Sequence, residues 1–289
     1  MKLVSLLTLS LMTLYPSAQQ NPMLFEPNNI SNGGVFGLTI SPDSRIALWV
    51  FSNGKRDTLR IMESRKENGN WSKPKIASFS SSMGEWKDID PIFSPNSKTV
   101  LFQSNRNTNR QPERKDFDIW AVELTDTGWT KPHPLEGLIN SEASESYASI
   151  TKDGTIYFMK ENDNKLGQSD IYFSALKKGN YQKPQNVGLP INTHERESNP
   201  YISPDGNYII YFSSDKNGFG EVDLYISFRK NRKWTTPLNL GSPVNSNIAE
   251  FCPFVHEKER RLYFTRQEKQ GDRFIENIYY VDFDINQYK

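Results

Sequence analysis

Glu197-Ser-Asn-Pro-Tyr-Ile-Ser-Pro-Asp-Gly206, then Tyr208-Ile-Ile-Tyr-Phe212, Asp223-Leu-Tyr225, Trp234-Thr-Thr-Pro237 and Val244-Asn245: this stretch decides the fold, because the chain repeats it. The copy before it carries Glu145, Ile150-Thr-Lys-Asp-Gly154, Ile156-Tyr-Phe158, Asp170-Ile-Tyr172, Tyr181-Gln-Lys-Pro184 and Ile191-Asn192. The one before that carries Asp88-Ile-Asp-Pro91, Phe93-Ser-Pro-Asn96, Val100-Leu-Phe102, Asp118-Ile-Trp120, Trp129-Thr-Lys-Pro132 and Ile139-Asn140. Two worn copies flank these, around Ser41-Pro-Asp43 with Trp71-Ser-Lys-Pro74, and around Glu250 with Leu262-Tyr-Phe264 and Asn277-Ile-Tyr279. A fixed period of about fifty residues built from short strands means a ring of blades, the β-propeller, or a related array.

Each copy reads as a four-stranded blade. Tyr201–Ser203 is innermost, and Ser203-Pro-Asp-Gly206 has the Pro and Gly placement of a tight turn. Tyr208–Ser213 alternates and is rich in aromatic and β-branched residues, as a half-buried strand should be. After a variable loop comes Asp223–Arg229, then a polar turn, then an outer strand holding Trp234 and Pro237, a place where proline is tolerated. Asp118 to Trp129, Asp170 to Tyr181 and Asp223 to Trp234 are eleven residues each. Constant spacing belongs to scaffold, while variable loops carry individuality. The fifth copy reaches Lys289 without an outer strand, and Pro22–Ile30 resembles the outer-strand stretch Pro184–Asn192. An all-β propeller of five blades follows, its last blade completed by the N-terminal strand. Six blades, the alternative, would need a copy that the sequence does not show.

Lysine plus arginine nearly balance aspartate plus glutamate, at formal net +1. Such a chain has no field for gripping a phosphate backbone, which argues against nucleic acid. Met1 to about Ala18, with Lys2, an apolar run from Leu3 to Leu14 and Pro16-Ser17-Ala18, reads as a secretory signal too short to span a bilayer. Residues 19–289 are then one propeller domain, periplasmic or secreted, with no transmembrane segment in the mature chain. Cys252 is the only cysteine, so no disulfide framework exists, and a buried inert thiol is expected there.

The combination of Ser-Pro-Asp-Gly turn, Tyr-Phe strand, Asp-Ile-Tyr and Trp-x-x-Pro resembles the TolB-like, WD40-like propeller repeats of bacterial exported proteins. The resemblance runs from about Phe36 to Phe283. It implies a binding or scaffolding module of the cell envelope, whose partner is an envelope or extracellular protein, a peptide or a glycan. His256-Glu-Lys-Glu259 and Thr58-Leu-Arg60 depart from the repeat.

Counting six residues back from each turn gives Val35, Asp88, Glu145, Glu197 and Glu250. That position opens the innermost strand at one mouth of the channel. The four carboxylates are candidates for holding a cation, a sugar or a basic group, with mutual repulsion raising some of their pKa values. The competing reading is that each accepts a backbone hydrogen bond and locks the ring. Asn140, Asn192 and Asn245, five residues earlier, suit either a site or a turn. Arg106 and Arg110, with Arg114 and Lys115, lie in the long loop of the second copy and do not repeat, so they are candidates for gripping a carboxylate. Trp71, Trp129, Tyr181 and Trp234 keep strict register and are expected to pack between blades. The three histidines fall at three different blade positions, and no metal, nucleophile-elbow or phosphate-loop motif occurs; no cofactor is expected. The reading is a non-catalytic exported propeller that binds at its channel mouth. The alternatives are a glycan-cleaving enzyme using channel carboxylates, by fold analogy, and a structural partner in an envelope complex.

Overall fold

The computed structural model describes residues 21–107, 116–161 and 169–289. The candidate signal (1–18) and the loop residues Arg110, Arg114 and Lys115 lie outside them. Among the described residues, five antiparallel sheets of four or five strands succeed one another along the chain, with the two-stranded pair Leu176–Lys177 and Asn180–Tyr181 beside the third. Their innermost strands are Val35–Ile40, Asp88–Phe93, Glu145–Ile150, Glu197–Ile202 and Ala249–His256. In blade 4 the order outward is Glu197–Ile202, Tyr208–Ser213, Asp223–Lys230, then Lys233–Trp234 and Leu238–Asn239. Among the described residues the one helical element is the short 3-10 turn Ile285–Tyr288. No helix there is long and apolar enough to cross a membrane.

Closure runs as expected. Met23–Leu24 pairs with the third strand of blade 5, Met23 facing Tyr280 and Leu24 facing Tyr279. The ladder continues through Phe25 N–H to Ile278 O (2.9 Å) and Gly33 N–H to Asn277 Oδ1 (2.8 Å). Phe25 and Ile30 are both buried behind it. An edge that would otherwise expose unpaired backbone groups is covered.

The outer strands differ from the expectation of one continuous strand. In blades 1 to 4 each is split into short pieces, such as Asn70–Trp71 and Lys75–Ile76 in blade 1. The proline of Trp-x-x-Pro has no N–H to give, so the ladder breaks there and resumes beyond it. The aromatic residue before the break reaches the preceding blade. Trp129 sits edge-on to Phe79 (5.2 Å) and its Nε1–H donates to buried Glu63 of blade 1 (2.7 Å). Trp234 packs on Tyr157 of blade 3 (6.2 Å), and Trp71 on Phe25 (6.3 Å). These aromatics are mortar between blades.

Candidate functional site

The acidic ring folds inward, away from the channel. Asp88, Glu145, Glu197 and Glu250 are all fully buried. Each carboxylate turns back onto its own inter-blade loop. Glu197 accepts from Thr193 N–H (3.0 Å), Thr193 Oγ1 (2.6 Å) and Ser213 Oγ (3.3 Å). Glu250 does the same with Ser246 N–H (3.0 Å) and its hydroxyl, and Glu145 with Ser141 N–H (2.8 Å) and its hydroxyl. Asp88 takes Ser81 N–H (2.7 Å) and Ser80 Oγ (3.0 Å). Burial pushes the Glu197 and Glu250 carboxyls up, against the hydrogen bonds that lower them. Desolvation is the leading cause; the like charges of Asp170 and Asp223 add to it, and the other carboxylates of the ring do not figure.

A cation arrives from the second strand in two blades, Lys160 to Glu145 (3.2 Å) and Arg266 to Glu250 (3.0 Å), and from just past it in blade 2, Arg106 to Asp88 (2.7 Å). Arg106 is therefore not an overhanging grip. It donates to Asp88 and to Phe79 O (2.6 Å), and its guanidinium lies over the Phe102 and Trp120 rings. Arg266 repeats this arrangement over Phe264 and Tyr279.

The asparagines are also placed in the frame. Asn245 Oδ1 accepts Leu224 N–H while its Nδ2 donates to Leu224 O, both at 2.9 Å. Asn192 does this to Ile171 (2.9 and 2.8 Å) and Asn140 to Ile119 (2.8 and 3.0 Å). Each side-chain amide imitates a strand partner for the third strand, which satisfies two backbone groups that would otherwise be stranded.

What does face the channel lies two residues further on. In every innermost strand the ladder slips, and the third residue from the repeat's opening position bulges in the left-handed region. These are Gly37 (φ 63°), Asp90 (49°), Tyr147 (45°), Asn199 (53°) and Cys252 (50°). Together they floor a funnel. Cys252 N–H donates to Asn199 Oδ1 (3.1 Å), and its Sγ–H faces Asp90 Oδ1 (3.4 Å). Gln103 Nε2 donates to Asp90 Oδ2. Tyr147 Oη donates across to Pro253 O (2.8 Å). A Cβ on Gly37 would sit 2.9 Å from Asp90 Oδ1, so glycine there makes room for the carboxyl.

Above this floor is a cavity of about 300 Å³. Gln103, Asn199, Gln267, Ser144 and Ser146 supply amides and hydroxyls, and Phe117 and Phe212 supply rings. Arg56 and Arg196 stand in the walls, with Glu161 and Glu221 on the rim. Arg56 is held over Phe36 (5.0 Å), Phe274 (5.2 Å) and Phe251 (5.7 Å) and pairs with buried Glu276. Arg196 lies over Phe212 (5.1 Å) and is exposed. None of the repeated carboxylates or asparagines lines the cavity.

Three groups of the floor are electrostatically unusual, among them Tyr147, whose phenol burial pushes well above its ordinary range. Burial pushes the Asp90 carboxyl up to about 6, against the lowering effect of Cys252, Arg56 and Gln103. Burial first, then the neighbouring Asp90, lifts the Cys252 thiol well above its ordinary range, so it is a poor nucleophile. Among the described residues no group of three His, Cys, Asp or Glu side chains is placed to hold a metal ion.

Sequence reasoning does not find Asp90, Asn199, Arg56 or Arg196. A usable signal for the floor exists all the same. Two residues past the strand-opening position, which is acidic in four copies, the five copies read Gly, Asp, Tyr, Asn and Cys. Variation at a fixed point of a repeat marks individuality, and Gly, Asp and Asn are the residues that best tolerate a left-handed backbone.

No protein-family model matches this chain, and no curated protein matches it in sequence. In shape it is similar to a thermostable family-43 glycoside hydrolase, with TM-score 0.58 and 13% identity over 87% of this chain and 91% of that one. It is also similar to an alpha-L-arabinofuranosidase from Lactobacillus brevis, with TM-score 0.53 and 12% identity over 90% of this chain and 96% of that one. A puromycin-hydrolyzing peptidase of Mycobacterium tuberculosis matches at TM-score 0.48 and 11% identity, over 81% of this chain but 34% of that one. At such identities the likeness speaks for the propeller fold alone.

Proposed function

We propose that this protein is an exported propeller of the TolB-like kind that binds an uncharged, polyhydroxylated ligand, an oligosaccharide, in the funnel over Asp90, Asn199 and Cys252. The observation that carries the reading is the lining of that funnel. Amides and hydroxyls both donate and accept, as sugar hydroxyls do. Arg56 and Arg196 are offset by Glu161, Glu221 and the buried Glu276, which leaves little net field for a charged ligand. A cavity near 300 Å³ is at the small end of ligand sites, so it suits one or two rings at a chain end. Propellers of similar shape include glycoside hydrolases, which is compatible with a glycan ligand. A signal at 1–18, a single domain from residue 19 and a periplasmic or secreted location are part of the same proposal.

Isothermal calorimetry against panels of neutral oligosaccharides and of peptides tests it. The expected result is binding of an oligosaccharide that Arg196→Ala weakens about tenfold, the loss of one charged-group hydrogen bond. Peptide binding, or oligosaccharide binding unaffected by the variant, would refute the assignment. A second reading, glycan cleavage, has one observation in its favour. Asp90 lies at the funnel floor with its carboxyl near 6, in the range of a general acid or base. A second carboxyl group would have to come from Glu161 or Glu221 at the rim. Product formation by the parent and its loss in Asp90→Asn would favour that reading.

A further inference from the structure

The channel is stoppered by its floor, and a separate cup of about 380 Å³ opens at the opposite mouth. Ile40, Ile92, Ile150 and Phe254 form apolar walls, and the second residues of the five inner turns ring the opening: Pro42, Pro95, Lys152, Pro204 and Glu257. Proline belongs to the repeat there, and Lys152 and Glu257 are departures from it. The turn His256-Glu-Lys-Glu259, singular in the sequence, thus reaches a cavity. His256 itself is spent on the turn. Its Nδ1 accepts Glu259 N–H (3.2 Å), which leaves its ring hydrogen on Nε2, facing Ser41 O (3.2 Å).

Glu257 is held differently. Its Oε1 receives the hydroxyl of Tyr208 (2.5 Å) and lies 3.3 Å from that of Tyr201, both from the neighbouring blade. Its Oε2 has no hydrogen-bond partner among the described residues. Asp205, the other carboxylate of the mouth, is consumed by its own turn through Ser203 Oγ (2.7 Å) and Asn207 N–H (3.1 Å). Glu257 is therefore a carboxylate fixed at one oxygen and open at the other. It stands beside an aromatic wall in which Tyr201 packs on Tyr208 (6.2 Å) and on Phe254 (5.9 Å). Lys152 and Lys258 are exposed at the same rim on flexible stems.

We propose that this mouth is a second ligand site, which takes a small organic cation with an apolar body: an alkyl or aryl ammonium whose head meets Glu257 and whose body fills the proline-ringed cup. A positioned carboxylate beside aromatic rings is the chemistry that recognises such cations. A volume near 380 Å³ with apolar walls accommodates a ring or short chain.

The test is calorimetric titration of the full chain with benzyltrimethylammonium, benzyl alcohol and phenylacetate, on the parent and on Glu257→Gln. Glutamine keeps the acceptor for both tyrosine hydroxyls, so the fold is retained; an unchanged melting transition checks this. The ammonium should bind, the alcohol about tenfold more weakly or worse, and Glu257→Gln should lose about tenfold. Arg196→Ala, at the other mouth, should leave the affinity unchanged. Failure of the ammonium to bind, indifference to Glu257→Gln, or preference for phenylacetate, the ligand Lys152 and Lys258 would favour, would overturn the proposal.

Discussion

At the scale of single residues, one repeat carries two kinds of carboxyl group. Glu197 and its equivalents are wholly buried and answered by loop N–H and hydroxyl groups. Asp90 lies two residues beyond such a position and faces the funnel. Its carboxyl has an ordinary value of 3.8 and is raised to about 6 by burial. Between those values the folded chain keeps a proton that the unfolded chain has released. Stability therefore falls as pH rises from about 4 to 6, by at most about 3 kcal/mol. Asp90→Asn should remove that part of the slope, read as urea midpoints across the window. Glu197 and Glu250 are shifted in the same sense in both proteins, so the difference between them isolates Asp90. Equal slopes would mean that Asp90 is not held protonated. The acidic ring is legible in the sequence because it repeats, and repetition is what marks it as frame. The floor is hard to read because its residue types share nothing except a left-handed backbone.

At the scale of elements, the blade order and the closure follow from pattern alone. Asp-to-aromatic spacing places the third and outer strands, and the unfinished fifth copy implies the N-terminal partner. The splitting of the outer strand in blades 1 to 4 is a consequence of proline chemistry that strand pattern alone does not show. Closure concentrates stability in a short segment. Phe25 is buried edge-on against Tyr263 (5.4 Å) and near Trp71. Phe25→Ala should cost about 3–5 kcal/mol by the usual penalty of a large core truncation, seen in the urea midpoint, and should leave the edge of blade 5 prone to association. A loss below about 1 kcal/mol would show that the ring does not depend on this strand.

At the scale of the molecule, the channel is closed by one bulged residue from each of the five blades and presents two unlike cavities. The funnel is polar, with paired charges; the cup at the other mouth is apolar around Glu257. The funnel floor and the Lys152 and Glu257 edge of the cup lie where the copies of the repeat disagree, and the frame lies where they agree. On the proposed function, ligand binding belongs to the non-repeating funnel residues and not to the acidic ring. The most direct test is the ligand-induced rise in melting temperature of the parent, Arg196→Ala and Glu197→Gln, using an oligosaccharide that binds the parent. Glu197→Gln sets an amide donor against the Thr193 N–H and should lower the unliganded transition, by about 1–3 kcal/mol, while keeping the parent's ligand-induced rise. Arg196→Ala should keep the transition and show a smaller rise at the same ligand concentration, as a tenfold loss of affinity requires. A rise lost in Glu197→Gln but kept in Arg196→Ala would contradict the account and return the site to the ring.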